Sequence, residues 1–157
     1  MDFSQITNDL FIGTTPTATD YDRLRELGVR LVINMRFMRG PHPDLHPEAL
    51  NFLWLRTIDS PFILIPITKL LQGTQAALET IRNGGKVYSH CAKGRHRSVA
   101  MGAAILIAQG HAPKAAMQLI KQQRPISDPD MYYIRGRILH FERHWTSAYG
   151  LTIKTEV

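Results

Sequence analysis

Short apolar runs separated by polar stretches of helical periodicity set the rhythm of this chain. Phe3 to Ile6, Leu10 to Gly13, Arg30 to Asn34, Asn51 to Thr57 and Lys86 to His90 read as strands. "RLVIN" and "KVYSH" are apolar along their length, as strands of a sheet buried on both faces are. Helices fall between them. "TDYDRLRELG" opens at a Thr19 cap and closes at Gly28, a glycine in the place where left-handed backbone ends a helix. From Pro66 to Arg82, the residues Ile67, Leu70, Leu71, Leu78 and Ile81 share one face before the stop "NGG". "SVAMGAAILIAQG" is apolar almost all round and predicts a helix buried at the centre of the domain. Pro113 opens a fourth helix, where a first-turn proline forfeits no hydrogen bond. The last helix carries Met131, Ile134, Ile138, Phe141 and Trp145 as one packing stripe, with Asp128 and Asp130 as its N-terminal cap. Strands alternating with helices imply an α/β fold: a central, mostly parallel (mixed) sheet of about five strands flanked by helices.

No repeat or low-complexity linker interrupts this order, so a single domain over residues 1–157 is expected. The single cysteine excludes an intrachain disulfide, which points to a reducing compartment and a cytoplasmic protein. The opening "MDFSQITNDLFIG" has no basic-then-apolar leader. The longest apolar runs, "SVAMGAAILIA" and "PFILIPITKLL", fall short of the ~20 residues a membrane helix needs, so no transmembrane segment is expected. A formal charge of +6 favours anionic partners: phosphorylated substrates, nucleic acid or an acidic membrane surface. Arg135, Arg137 and Arg143 on the last helix match no nucleic-acid module and read as a solvated face, so no stable nucleic-acid complex is expected.

The proline-rich stretch "MRFMRGPHPDLHPEAL" leaves the end of a strand, where α/β folds place binding sites, and reads as a structured loop that shapes a pocket. Its His42, Asp44, His46 and Glu48 lie close together, but Pro43 and Pro47 fix a geometry awkward for a metal. His140 and His144 lie one turn apart on a helix whose apolar stripe is core. Neither group predicts a metal, and no cofactor is expected.

Candidate chemistry concentrates in "HCAKGRHRS", His90 to Ser98, which holds the only thiol among Lys93, Arg95, His96 and Arg97. The run joins a strand to a helix N-terminus, where unpaired backbone N–H groups and the helix dipole attract an anion. Gly94 allows a tight turn. Arg97 is placed to grip a bound oxyanion through two parallel hydrogen bonds, which lysine cannot copy. The same field stabilises the Cys91 thiolate and makes it a nucleophile. Ser98 supplies a hydroxyl to the sulfur, and His90, at the strand end, is placed to pin the loop backbone.

With these residues the chain resembles the cysteine-dependent protein tyrosine phosphatase superfamily, whose signature is His-Cys-x5-Arg-Ser/Thr. More narrowly it is similar to small dual-specificity phosphatases. The likeness extends from "ITNDLFIGTTPTATDYDRLRELGVRLVIN" to the closing segment "RPISDPDMYYIRGRILHFE". The resemblance implies a phosphomonoester hydrolase acting through a cysteinyl-phosphate intermediate, with phosphorylated proteins or another anionic phosphomonoester as substrate. Cys91 would be the nucleophile, Arg97 the phosphate clamp and Ser98 the aid to thiolate departure. The loop of Ala92, Lys93, Gly94, Arg95, His96 and Arg97 would supply the amides. Asp59 in "LWLRTIDSPFILIP" resembles the family's general acid, ahead of Asp44 and Glu48 in the proline-rich loop. Lys93 stands where many members have alanine. With Arg95 and His96 it makes a cationic rim that raises a second reading, a phosphatase of polyanions such as phosphoinositides, phosphosugars or RNA 5′ ends. A non-catalytic phosphate-binding module is the third reading, and intact Cys91, Arg97 and Asp59 weigh against it. Arsenate reductases share the loop but need further cysteines.

Overall fold

A computed structural model, which describes residues 1–150, pairs the five apolar runs into one sheet. The strands are β1 (Phe3–Gln5), β2 (Leu10–Gly13), β3 (Val29–Arg36), β4 (Asn51–Thr57) and β5 (Lys86–His90), in the order β1-β2-β5-β3-β4. Only the β1–β2 pair is antiparallel; β2–β5, β5–β3 and β3–β4 are parallel. β3 is longer than the pattern predicts, because Val29 pairs with Lys86 at one end and Arg36 with Thr57 at the other. The register brings Gly13 and Asn34 alongside His90, so the C-terminal ends of the parallel strands meet at one edge. Loops that leave this edge converge, and a site forms there. Residues 151–157 of the expected domain lie outside the described residues.

The five α-helices are α1 (Tyr21–Glu26), α2 (Ile67–Arg82), α3 (Arg97–Ala108), α4 (Pro113–Gln123) and α5 (Tyr132–Tyr149). Alternation along the strands sorts side chains onto two faces. Leu10 and Ile12 of β2 and Val87 of β5 join the larger core beneath α2, α3, α4 and α5. Phe11 and Tyr88 turn the other way, to a smaller core with Tyr21 and Leu24 of α1. As the pattern predicts, α3 is central: every residue from Ser98 to Ile107 is buried. The α5 stripe also holds, with Ile134, Ile138 and Phe141 fully buried and Met131 and Trp145 packed beside them. None of the described helices is long and apolar enough to cross a membrane.

Three local expectations differ from the structure. Thr19 does not cap the first helix: Asp20 holds the cap position of α1, and Thr17 caps the 3-10 turn Ala18–Asp20 that precedes it, its amide donating to Asp20 Oδ2 at 2.8 Å. An Asp side chain three residues on satisfies the entry backbone better than a hydroxyl already inside the turn. On α2 the buried residues are Leu70, Gly73, Thr74 and Ala77, with Gly73 against Met101 of α3, while Leu78 is only half-buried. Small side chains let the two helices approach. Asp128 and Asp130 do not cap α5 with their side chains; Met131 holds the cap position. The Asp128 carbonyl receives the Met131 amide at 3.3 Å, and its carboxylate turns to Arg95.

Two glycines give opposite expectations. A methyl at Gly13 would lie 2.5 Å from the Asp2 carbonyl oxygen and 2.6 Å from Phe3 Cβ. Gly13→Ala should therefore destabilise by about 1–3 kcal/mol through overpacking. Within α5, a Cβ at Gly136 would have nothing within 4 Å, so Gly136→Ala should stabilise by about 0.5–1 kcal/mol. Urea unfolding of both variants checks the pair; equal shifts of the same sign would contradict this packing.

Candidate active site

Chain emerging from β5 passes through residues 91–96 and enters α3 at Arg97. Five of its six carbonyl oxygens, all but that of Ala92, are taken by donors outside the loop. Thr15 Oγ1 donates to the Cys91 oxygen at 3.2 Å, and Arg124 donates to Gly94 at 2.7 Å and to Lys93 at 3.1 Å. The Asp128 amide reaches the Arg95 oxygen at 3.0 Å, and the Ala100 amide the His96 oxygen at 2.9 Å. With the carbonyls drawn outward, the amides face the thiol. The Arg95 and Ser98 backbones favour the anionic form of the sulfur. Gly94 makes the turn possible. Its φ is +61°, and a Cβ there would lie 2.7 Å from the Gly13 carbonyl group.

Cys91 lies at the floor of this loop, only 2% exposed. Its Sγ sits 3.3 Å from Ser98 Oγ. Burial by itself pushes the thiol up. The Ser98 hydroxyl, the Ser98 and Arg95 amides and the Arg97 charge outweigh it, so the net displacement is below the ordinary thiol value. Arg97 enters from the first turn of α3. Its Nη1 donates to the carbonyls of Thr57 at 2.8 Å and Met35 at 3.2 Å, tying the guanidinium to the ends of β4 and β3. Its Nε is buried without a hydrogen-bond partner among the described residues. A guanidinium fixed at one nitrogen and open at another suits an oxyanion.

The other expected residues divide. Ala92 and Lys93 are exposed, and Gly94 is buried. Arg95 does not stand free on the rim: its Nη2 lies 3.6 Å from Asp128 Oδ2. His96 also turns inward. Its Nδ1 is 3.0 Å from Asp59 Oδ2 and 3.3 Å from the Tyr133 hydroxyl. Asp59 is thereby brought to the edge of the loop, and its second oxygen accepts from Tyr133 at 2.6 Å. Asp44 and Glu48 serve elsewhere. Asp44 accepts from Arg25 at 2.5 Å and from the Leu50 amide at 2.8 Å, while the Glu48 amide donates to His46 Nδ1 at 3.0 Å. These contacts hold the proline-rich loop as a structured unit, as its composition predicts.

Three participants were not visible in the motif. Arg124, 2% exposed, also reaches Asp2 Oδ2 at 2.9 Å and Ser4 Oγ at 3.2 Å, so it ties the loop to the first strand. Arg36, at the end of β3, donates to Thr15 Oγ1 at 3.0 Å and adds positive charge near Cys91. Tyr133 looks from sequence like any aromatic in the first turn of a helix. The one available signal, an arginine before proline between two helices, marks Arg124 but gives no partner.

No family model matches the chain. Over 132 residues it is 31% identical to dual specificity phosphatase 28 of Mus musculus, covering 82% of this chain and 77% of that protein. A crystal structure of a mouse dual specificity phosphatase complexed with zinc tungstate superposes with a TM-score of 0.84 at 25% identity, covering 96% of this chain and 92% of the other. The crystal structure of PTPMT1 gives a TM-score of 0.80 at 27% identity, covering 94% and 98%.

His90 supplies a test of the site's electrostatics. Burial lowers its imidazole to about 4, and the Arg36 and Arg97 charges act in the same direction. The unfolded chain takes up a proton near 6.5, so folding stability should fall as pH drops from about 6.5 to about 4. The loss attributable to His90 is on the order of 3 kcal/mol. Chemical denaturation across that window should show a shallower pH slope in His90→Gln; parallel slopes would mean that His90 is not held neutral.

Proposed function

Because the chain belongs to the dual-specificity phosphatase family, a family of cysteine-dependent enzymes acting on phosphorylated substrates, we infer that its own chemistry runs through Cys91. The thiolate attacks phosphorus, forming the S–P bond as the bond to the leaving oxygen breaks. The loop amides and Arg97 hold the phosphoryl oxygens, whose charge builds in the transition state. Asp59 gives its proton to the leaving oxygen. Water then attacks the cysteinyl-phosphate, Asp59 takes up the water's proton, and inorganic phosphate leaves. The Ser98 hydroxyl stabilises the sulfur anion as the S–P bond breaks. The observation that carries this reading is the thiol itself, buried between β5 and α3 with Ser98 Oγ at 3.3 Å and displaced toward the thiolate.

Phosphorylated protein is the substrate class we assign. The polyanion alternative rested on a rim of Lys93, Arg95 and His96, and two of those three are engaged within the protein, Arg95 with Asp128 and His96 with Asp59. A single domain working in a reducing compartment such as the cytoplasm fits a nucleophile that must stay a free thiol.

Cys91→Ser should abolish turnover of an aryl phosphate, because an alcohol at neutral pH is not an anion, and should leave vanadate or phosphate binding intact. Rapid acid quenching of the wild type should trap phosphate on Cys91. Substantial turnover by Cys91→Ser, or a quenched protein with no phosphate on sulfur, would overturn the mechanism.

A further inference from the structure

Asp59 lies in the segment between β4 and α2, outside any regular element. Ile58, Phe62, Ile63 and Leu64 around it are exposed, so little apolar packing fixes this segment. An acid carried there would spend much of its time away from the leaving oxygen, and misplacement by an ångström is costly to catalysis. Yet both carboxylate oxygens are held. Oδ2 faces His96 Nδ1 at 3.0 Å and Oδ1 receives the Tyr133 hydroxyl at 2.6 Å.

We propose that His96 and Tyr133 are positioning residues that clamp Asp59 at the mouth of the thiol loop and stabilise its carboxylate as it gives up its proton. The proposal rests on the reading of Asp59 as the general acid. Three rigid supports meet in the clamp. His96 is the residue before α3, fixed by the loop backbone, and Tyr133 projects from the first turn of α5. The two rings meet edge to face, with centroids 5.9 Å apart and planes at 72°. The third is Arg97, which holds the start of the acid segment through the Thr57 carbonyl.

Proton bookkeeping is consistent with this geometry. Burial, then the adjacent Asp59, push the Tyr133 hydroxyl up to about 12, so it stays a donor at working pH. A carboxylate accepts only, so His96 presents Nδ1–H to it. Each carboxylate oxygen keeps a second lone pair, and one of these carries the acidic proton. When the Asp59 O–H bond breaks, the proton passes to the leaving oxygen and the electron pair stays on a carboxylate already facing two donors. The clamp residues transfer no proton. Donors in place before the charge forms need no reorganisation as it forms.

The test compares phenyl phosphate, a poor leaving group, with difluoromethylumbelliferyl phosphate, a good one, in the full-length protein. Asp59→Asn should lower kcat on phenyl phosphate by roughly 10²–10⁴ and much less on the second substrate. Tyr133→Phe, which removes only the hydroxyl, should lower kcat on phenyl phosphate about ten-fold, with KM and the second substrate changed less than about two-fold. His96→Asn, which keeps a donor near the Nδ1 position, should retain more of that activity than His96→Leu. In an Asp59→Asn background, Tyr133→Phe should cause no further loss. Asp59→Asn showing its leaving-group dependence while Tyr133→Phe matches wild type, or loses equally on both substrates, would overturn the clamp alone. Asp59→Asn with no leaving-group dependence would overturn the acid assignment, and the clamp with it.

Discussion

Turning a run of backbone amides inward around one sulfur forces the matching carbonyls outward, and each of those must find a donor or cost the protein stability. Much of this structure meets that constraint. Arg124, at the C-terminal end of α4, donates to Gly94 and Lys93, and Thr15 donates to Cys91. The segment before α5 donates to Arg95 through the Asp128 amide. Gly94 in left-handed backbone, pressed against Gly13, sets the radius of the turn. With the loop held from outside, its interior backbone favours an anion, and the Cys91 thiol is displaced toward its thiolate.

The sheet sets where this happens. Parallel pairing of β2, β5 and β3 carries Gly13, His90 and Asn34 to one edge, and α3 starts there because it must dive beneath the sheet to bury its apolar surface. The helix N-terminus is thus aimed at the thiol by the demands of the core. Arg97 then joins two requirements in one side chain. Its Nη1 satisfies the ends of β3 and β4, and its Nε stays buried with no hydrogen-bond partner among the described residues, as the proposed phosphate clamp requires. Apolar packing does little for the segment that carries Asp59, where Ile58, Phe62, Ile63 and Leu64 are exposed, and hydrogen bonds to His96 and Tyr133 hold the carboxylate instead.

What could be read in the sequence was whatever local chemistry dictates. Apolar runs placed β2, β4 and β5 to the residue, an all-apolar stretch marked α3 as the central helix, and the cysteine loop declared its own chemistry through residue types at fixed spacing. The errors fall where a neighbour in space decides. Thr19 falls inside a 3-10 turn that Thr17 opens, because the Thr17 amide pairs with the Asp20 carboxylate. Leu78 is only half-buried, while Met101 of α3 lies against Gly73. Arg95 and His96 read as a free cationic rim because Asp128 and Asp59 lie far off in the chain, Asp59 being 37 residues from His96 and 74 from Tyr133. Periodicity carries no record of such contacts.

The central claim is that this loop ionises a buried thiol against the cost of burying it. A chain with one cysteine makes that directly measurable, since thiolate absorbance near 240 nm and alkylation by iodoacetamide both report on Cys91 alone. Titrated by either signal, the native protein should show a midpoint below the ordinary thiol value of about 8.5, and Ser98→Ala should move it upward. A midpoint at or above that value, unmoved by Ser98→Ala, would contradict the account.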